Sequence, residues 1–178
     1  MEYLKLRLRD FDDKYSLDDI RKATEALPAT KELFIRWSNL PSSMEVQHWK
    51  TAADVTSKMD KLYLQNINGE NGPTECTGFE FELGRLVTRA KEVFCDENQY
   101  HNFDLFAKGV LQGMGEEGAC CEEIEWKRSI LHGDNFKVFV EQLGWEIRPD
   151  FYAPNGPERI MNIVIIKKYK EEFNDSSD

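Results

Sequence analysis

Apolar and polar residues alternate from the start of the chain: Leu4, Leu6 and Leu8 are interleaved with Lys5, Arg7 and Arg9. A period of two is the mark of a strand with one buried face. The pattern returns at Leu33, Ile35 and Trp37, around Phe34 and Arg36, and again at Leu62, Leu64 and Ile67. The strand centres Leu6, Ile35 and Leu64 are evenly spaced along the chain, twenty-nine positions from each to the next. Between them the spacing becomes helical. Ser16 opens a first helix with Asp19 three residues later, close to a capping box; Ile20, Ala23 and Leu27 share one face and Pro28 ends it. Ser42 and Glu45 make a full capping box for a second helix, with Val46, Trp49, Ala53, Val55 and Met59 as its buried stripe. This succession predicts parallel neighbours joined by right-handed crossovers, one sheet face under helices and the other open.

Asn68-Gly69-Glu70-Asn71-Gly72-Pro73 is the strongest break, and the period is expected to end there. Beyond it, Phe79, Phe81 and Leu83 predict a strand, and Leu86, Val87, Ala90, Val93 and Phe94 a helix. Asp96 to His101 reads as a loop. Asn102 caps a helix carrying Phe103, Phe106, Val110 and Leu111, stopped by Gly113 and Gly115; Cys121, Ile124 and Trp126 predict a fifth strand. Asp134 or Asn135 begins a short helix with Phe136, Phe139, Val140 and Leu143, and Gly144 is placed as its C-cap. Trp145–Tyr152 and Arg159–Tyr169 flank Ala-Pro-Asn-Gly-Pro, the pattern of an antiparallel hairpin. The expected fold is a single α/β domain over residues 1–170. It comprises leucine-rich-repeat-like β-α units in a curved, mainly parallel sheet, helices on one face, and the hairpin as a C-terminal cap. Residues 171–178, EEFNDSSD, read as a disordered acidic tail.

Charge narrows the functional classes. The net charge is −10, and residues 70–126 hold thirteen acidic and four basic side chains, against eleven of each in residues 1–69. That excess disfavours nucleic acid, which needs cations against phosphate, and suits a protein partner, a basic one in particular. The longest purely apolar run is Ile163–Ile166, too short to span a bilayer, and the N-terminus has no apolar signal region. Cys76, Cys95, Cys120 and Cys121 show no framework spacing, which predicts reduced thiols and a cytoplasmic or nuclear protein.

No stretch carries recognisable catalytic chemistry, and no cofactor or metal is expected. Cys120 and Cys121 lie close enough to His132 in sequence to suggest a nucleophilic pair, but Glu122, Glu123 and Glu125 would raise a thiol pKa rather than lower it. A buried strand start explains the cysteines better. Zinc lacks its close Cys or His pairs; Asp10, Asp12 and Asp13 lack the glycine and the bidentate glutamate of a calcium loop. The glycines at 109, 113, 115 and 118 sit beside Glu116 and Glu117, which would repel phosphate, so a helix end running into a loop is expected. The pairs Glu80/Glu82 and Glu123/Glu125 have the composition of a glycosidase site but read as the wet faces of strands.

The first three strands resemble the strand segment of a leucine-rich repeat: Leu-x-Leu-x-Leu at 4–8, Leu-x-Ile-x-Trp-x-Asn at 33–39 and Leu-x-Leu-x-Asn at 62–66. Two further segments resemble the F-box-associated (FTH-type) regions of the large nematode F-box families. Val46-Gln47-His48-Trp49-Lys50-Thr51-Ala52 is similar to their Glu-Gln-Trp-Lys-x-Ala segment, and FDLFAKGVLQG at 103–113 to a helix-plus-glycine segment before a strand. The resemblance implies a target-protein-binding region. There is no F-box motif, so ubiquitin-ligase recruitment is not implied. The expected function is therefore non-catalytic protein–protein binding through the open sheet face or strand-end loops, with Arg36, Tyr63, Gln65, Glu80 and Glu82 as contact residues. The alternatives are a small hydrolase or transferase using carboxylates of the acidic middle region, and an acidic inhibitor that mimics nucleic acid.

Overall fold

The computed structural model describes residues 5–9, 22, 25–27, 30–36, 46–67, 79–100, 102–131, 136–148 and 160–167. Strands β1 (Lys5–Arg9), β2 (Glu32–Arg36), β3 (Met59–Gln65), β4 (Ala90–Asp96) and β6 (Glu123–Leu131) lie parallel, in chain order, in one sheet. β8 (Ile160–Lys167) runs antiparallel to β6, and β7 (Trp145–Ile147) antiparallel to β8, giving the order β1-β2-β3-β4-β6-β8-β7. The short β5 (Gln99–Tyr100) pairs with the end of β6 at Ile130 and Leu131. The segment 149–159 between β7 and β8 lies outside the described residues, as do the caps at Ser16 and Ser42 and the 171–178 tail.

Among the described residues, helices α1 (Val46–Val55), α2 (Phe79–Val87), α3 (Phe103–Met114) and α4 (Phe136–Leu143) accompany the sheet. Each packs on the next: α1 on α2, α2 on α3, α3 on α4. Lys22, Glu25 and Ala26 are also helical, and Leu27 is buried. The core lies between the helices and one sheet face. Its inner rows are Leu33, Leu62, Val93, Ile124 and Ile165, and Ile35, Leu64, Cys95 and Trp126, all buried and in register across the strands. At the β6 end the filling is aromatic. Tyr100 stacks on Phe106 at 5.0 Å, and Phe103 meets Trp126 and Phe139 edge-on, arrangements that exceed plain area burial by roughly 1 kcal/mol per pair.

The structure corrects the sequence reading at several places, the expected loop from Asp96 to His101 among them, since Asp96 ends β4 and Gln99 and Tyr100 form β5. First, Ile35 is level with Leu8, not Leu6, so the first step is two positions shorter than the even spacing predicts. Second, the period continues past the Asn-Gly-Pro break. Glu32 is level with Lys61, Lys61 with Glu92, and Glu92 with Glu123. The first of these steps equals the expected spacing, and the next two are each two positions longer. Third, Phe79, Phe81 and Leu83 belong to a helix, and Ala90, Val93 and Phe94 to a strand. Leu83, Leu86 and Val87 are the buried stripe of α2, at helical spacing. Val55, expected in the stripe of α1, is exposed, and the buried Met59 opens β3 instead.

Other expectations hold. Asn102 caps α3, its side chain accepting from Leu105 N–H at 3.3 Å. Gly144 follows α4 at φ +65°, the left-handed cap that glycine adopts without strain. Gly115 ends α3, so the glycine run is a helix terminus entering a loop. Gly84 and Gly109 have a different role: a Cβ on Gly84 would strike the Phe106 carbonyl, and one on Gly109 the Phe81 carbonyl. The two helices thus cross backbone to backbone.

Candidate functional site

The outer sheet face is built by the residues between the buried ones. Burial alternates along β2, β3 and β4, and register then aligns the partly exposed positions into three rows. The first row is Glu32, Lys61, Glu92 and Glu123; the second Phe34, Tyr63, Phe94 and Glu125; the third Arg36, Gln65, Asp96 and Lys127. On the edge strand β1, Lys5, Arg7 and Arg9 are in register with these same rows. Past Glu125 the middle row meets Val164, which is buried. Among the residues whose burial is described, the accessible part of this face runs from β2 to β6.

Its centre is aromatic. Phe34 and Tyr63 lie 6.0 Å apart, and Tyr63 stacks on Phe94 at 5.0 Å with rings 15° from parallel. The surrounding charges are mixed in sign. Lys61 Nζ is 3.8 Å from Glu92, and Lys127 Nζ 3.1 Å from Glu125. Asp96 accepts from Arg128 at 2.7 and 3.1 Å. At the other side of the face, Arg36 Nε is buried and has no hydrogen-bond partner among the described residues. A buried, unanswered donor calls for an explanation.

Arg36, Tyr63 and Gln65 are thus brought onto one face, with Arg36 and Gln65 adjacent in register. Glu80 and Glu82 are not, which corrects their placement. Both are buried on α2, on the helix side of the sheet. Glu80 accepts from Asn102 N–H with both oxygens at 3.1 Å, bracing the start of α3. Glu82 pairs with Arg85 at 2.7 Å. Glu123 and Glu125 do occupy the wet side of their strand, opposite the buried Ile124 and Trp126. Sequence reasoning missed Phe34 and Phe94 as members of this face; Phe94 was assigned to a helix, and the signal for both was their register with Tyr63.

Two polar systems lie elsewhere. Arg85 on α2 joins Asp54 (2.6 Å), Glu82 and Glu116 (2.9 Å), while Arg89 reaches Glu116 at 2.6 Å. The Arg85 hydrogen bond lowers the Glu116 pKa below its ordinary value. Near the strand ends, Asn98 is buried: its Oδ1 accepts from Ile67 N–H at 3.0 Å and its Nδ2 donates to the Tyr100 hydroxyl at 3.3 Å. Ser129 accepts from Asn98 N–H one repeat further on.

Cys95, Cys120 and Cys121 are free thiols. Burial pushes Cys95 up to about 12 and raises Cys120 and Cys121 as well, opposite to what a nucleophile needs. His101 and His132 lie outside the described residues, as do the Asp10, Asp12 and Asp13 positions. Among the described residues no group of His, Cys, Asp or Glu is arranged to hold a metal ion, and no helix is long and apolar enough to cross a membrane.

Comparison of the chain with protein families, with curated proteins and with solved structures finds no match to any of them.

Proposed function

We propose that the chain is a non-catalytic protein–protein interaction module, a target-recognition domain related to F-box-associated regions, which binds through the outer face of β2, β3, β4 and β6. The observation that carries this reading is the aromatic row Phe34, Tyr63 and Phe94, aligned on three neighbouring strands and left partly exposed. Aromatic residues with arginine nearby are the usual anchors of protein interfaces. Arg36, with its unanswered Nε, is the matching polar anchor. The leucine-rich-repeat likeness gains support from β4 and β6. Ala90, Val93, Cys95, Asn98 and Tyr100 fall on the pattern L-x-x-L-x-L-x-x-N-x-L, and Cys121, Ile124, Trp126, Ser129 and Leu131 repeat it with serine at the asparagine position. Such arrays characteristically bind along the exposed strand face. A cytoplasmic or nuclear setting, with its reduced thiols, suits this role.

The test is a site-resolved crosslinking experiment in the native cell. A photoreactive residue at Tyr63 should yield one discrete adduct, whereas the same residue at the exposed Leu111 on α3 should not. Arg36→Ala with Tyr63→Ala should remove the adduct's partner from a pull-down, a loss of ~2 kcal/mol or more of binding. The same pair should lower the melting temperature by only a few degrees, because the Tyr63 stacking contributes roughly 1 kcal/mol. Adducts of equal yield from both positions would refute the assignment of the face.

A further inference from the structure

Three carboxylates crowd the β4–β6 side of the aromatic row. Glu92 and Glu123 are directly level on adjacent strands, and Glu125 is level with Phe94. Like charges placed opposite one another across strands are unfavourable. Lys61 reaches Glu92 only at 3.8 Å, and Lys127 serves Glu125; among the described residues no side-chain cation is within ion-pair distance of Glu123. Glu123, level with a second carboxylate, is thus the one of the three that no described cation answers, and it lies on the partly exposed face. Local violations of this kind are expected where a protein contacts something else. Beside the carboxylates stands the Tyr63–Phe94 stack, whose ring faces attract a cation and whose edges give an alkyl stem an apolar bed.

We infer that this corner of the face receives an arginine or lysine side chain of a partner protein, its stem on the Tyr63–Phe94 stack and its charge among Glu92, Glu123 and Glu125. The inference rests on the open-face binding reading and adds the chemistry of the occupant. A guanidinium is the better fit, because it stacks on an aromatic ring and answers carboxylates in a fork at once. The docked cation relieves the Glu92–Glu123 repulsion. Binding is therefore tied to salt: raising ionic strength weakens it, since these carboxylates are partly exposed.

The experiment is a selection of short random peptides displayed on phage against the full chain, repeated against Glu123→Lys with Glu125→Lys and against Tyr63→Ala. The milder pair Glu123→Gln with Glu125→Gln serves if the lysine pair lowers the melting temperature strongly. Wild-type selections should enrich peptides with a basic residue flanked by apolar ones. The best synthetic peptide should bind at least tenfold more weakly to either carboxylate variant and to Tyr63→Ala. Peptides that depend on Tyr63 but show no basic preference would overturn this inference and leave the binding face standing. Peptides indifferent to all these variants, or no enrichment, would overturn both.

Discussion

At the scale of single residues, the most telling positions are those that close each repeat. Asn66, Glu97 and Arg128 all sit in the left-handed region, at φ +55°, +55° and +48°, each one repeat from the last. Asn66 and Glu97 follow the ends of β3 and β4, whereas Arg128 lies inside β6, at the bulge between Trp126 and Ser129; backbone hydrogen bonds connect these corners, Asn66 N–H to the Asp96 carbonyl and Glu97 N–H to that of Lys127. Asn98 locks the same corner from inside. Asn98→Ala would strand the buried Ile67 N–H and leave the Tyr100 hydroxyl only its bond to Cys95 Sγ, so it should destabilise the fold by about 2 kcal/mol in chemical denaturation. A negligible cost would show that the corner is held by something else.

Elements were legible where their boundaries had chemistry. Asn102 and Gly144 announced a helix start and a helix end, and both act as read. The passage from α2 to β4 had no such punctuation. Thr88 and Arg89 make the turn, neither of them a turn-former, and Leu86, Val87, Ala90, Val93 and Phe94 happen to fall at helical spacing across it. The alternation of Phe79, Phe81 and Leu83 was equally accidental, and it carried Glu80 and Glu82 onto a surface they do not share. What would have exposed the error is the row Leu64, Cys95 and Trp126, visible only once each strand is set beside its counterpart in the next repeat.

The α2–α3 crossing is the element contact most open to attack. Gly109→Ala puts a methyl group into the Phe81 backbone, which cannot rotate aside. It should cost about 3 kcal/mol and roughly 10 °C in melting temperature. Gly115→Ala, whose nearest neighbour would be the Gln112 carbonyl at 3.5 Å, should be close to neutral in the same assay. The ion cluster on these helices has a pH signature. Glu116 is held below its ordinary value of 4.5, so it stabilises the fold above that pH and stops doing so as pH falls through its lowered value. Wild type should therefore melt higher than Glu116→Gln at neutral pH, with the gap closing in acid. A gap that stays constant through the whole carboxylate range would count against the cluster as its source.

For the molecule as a whole, the sheet is an array in which neighbours support neighbours, and stability should fall toward the outer strand. Amides of β4 and β6, paired on both sides and backed by the aromatic core, should exchange slowest. Those of β1 should exchange faster, at a rate set by local opening. Uniform exchange across the sheet would instead mean that it opens as one unit. The face read as functional spans the best-supported strands, which makes it a rigid surface for recognition.

The antiparallel β8 bears on how such a protein can change size. Because it claims the free edge of β6 in the opposite direction, another parallel unit has no place to dock there. A unit added to the parallel series must therefore join it elsewhere than at the β6 edge. Arg36 on β2 and Glu125 on β6 would then move apart or together by one strand width, about 4.8 Å, for each unit gained or lost between them.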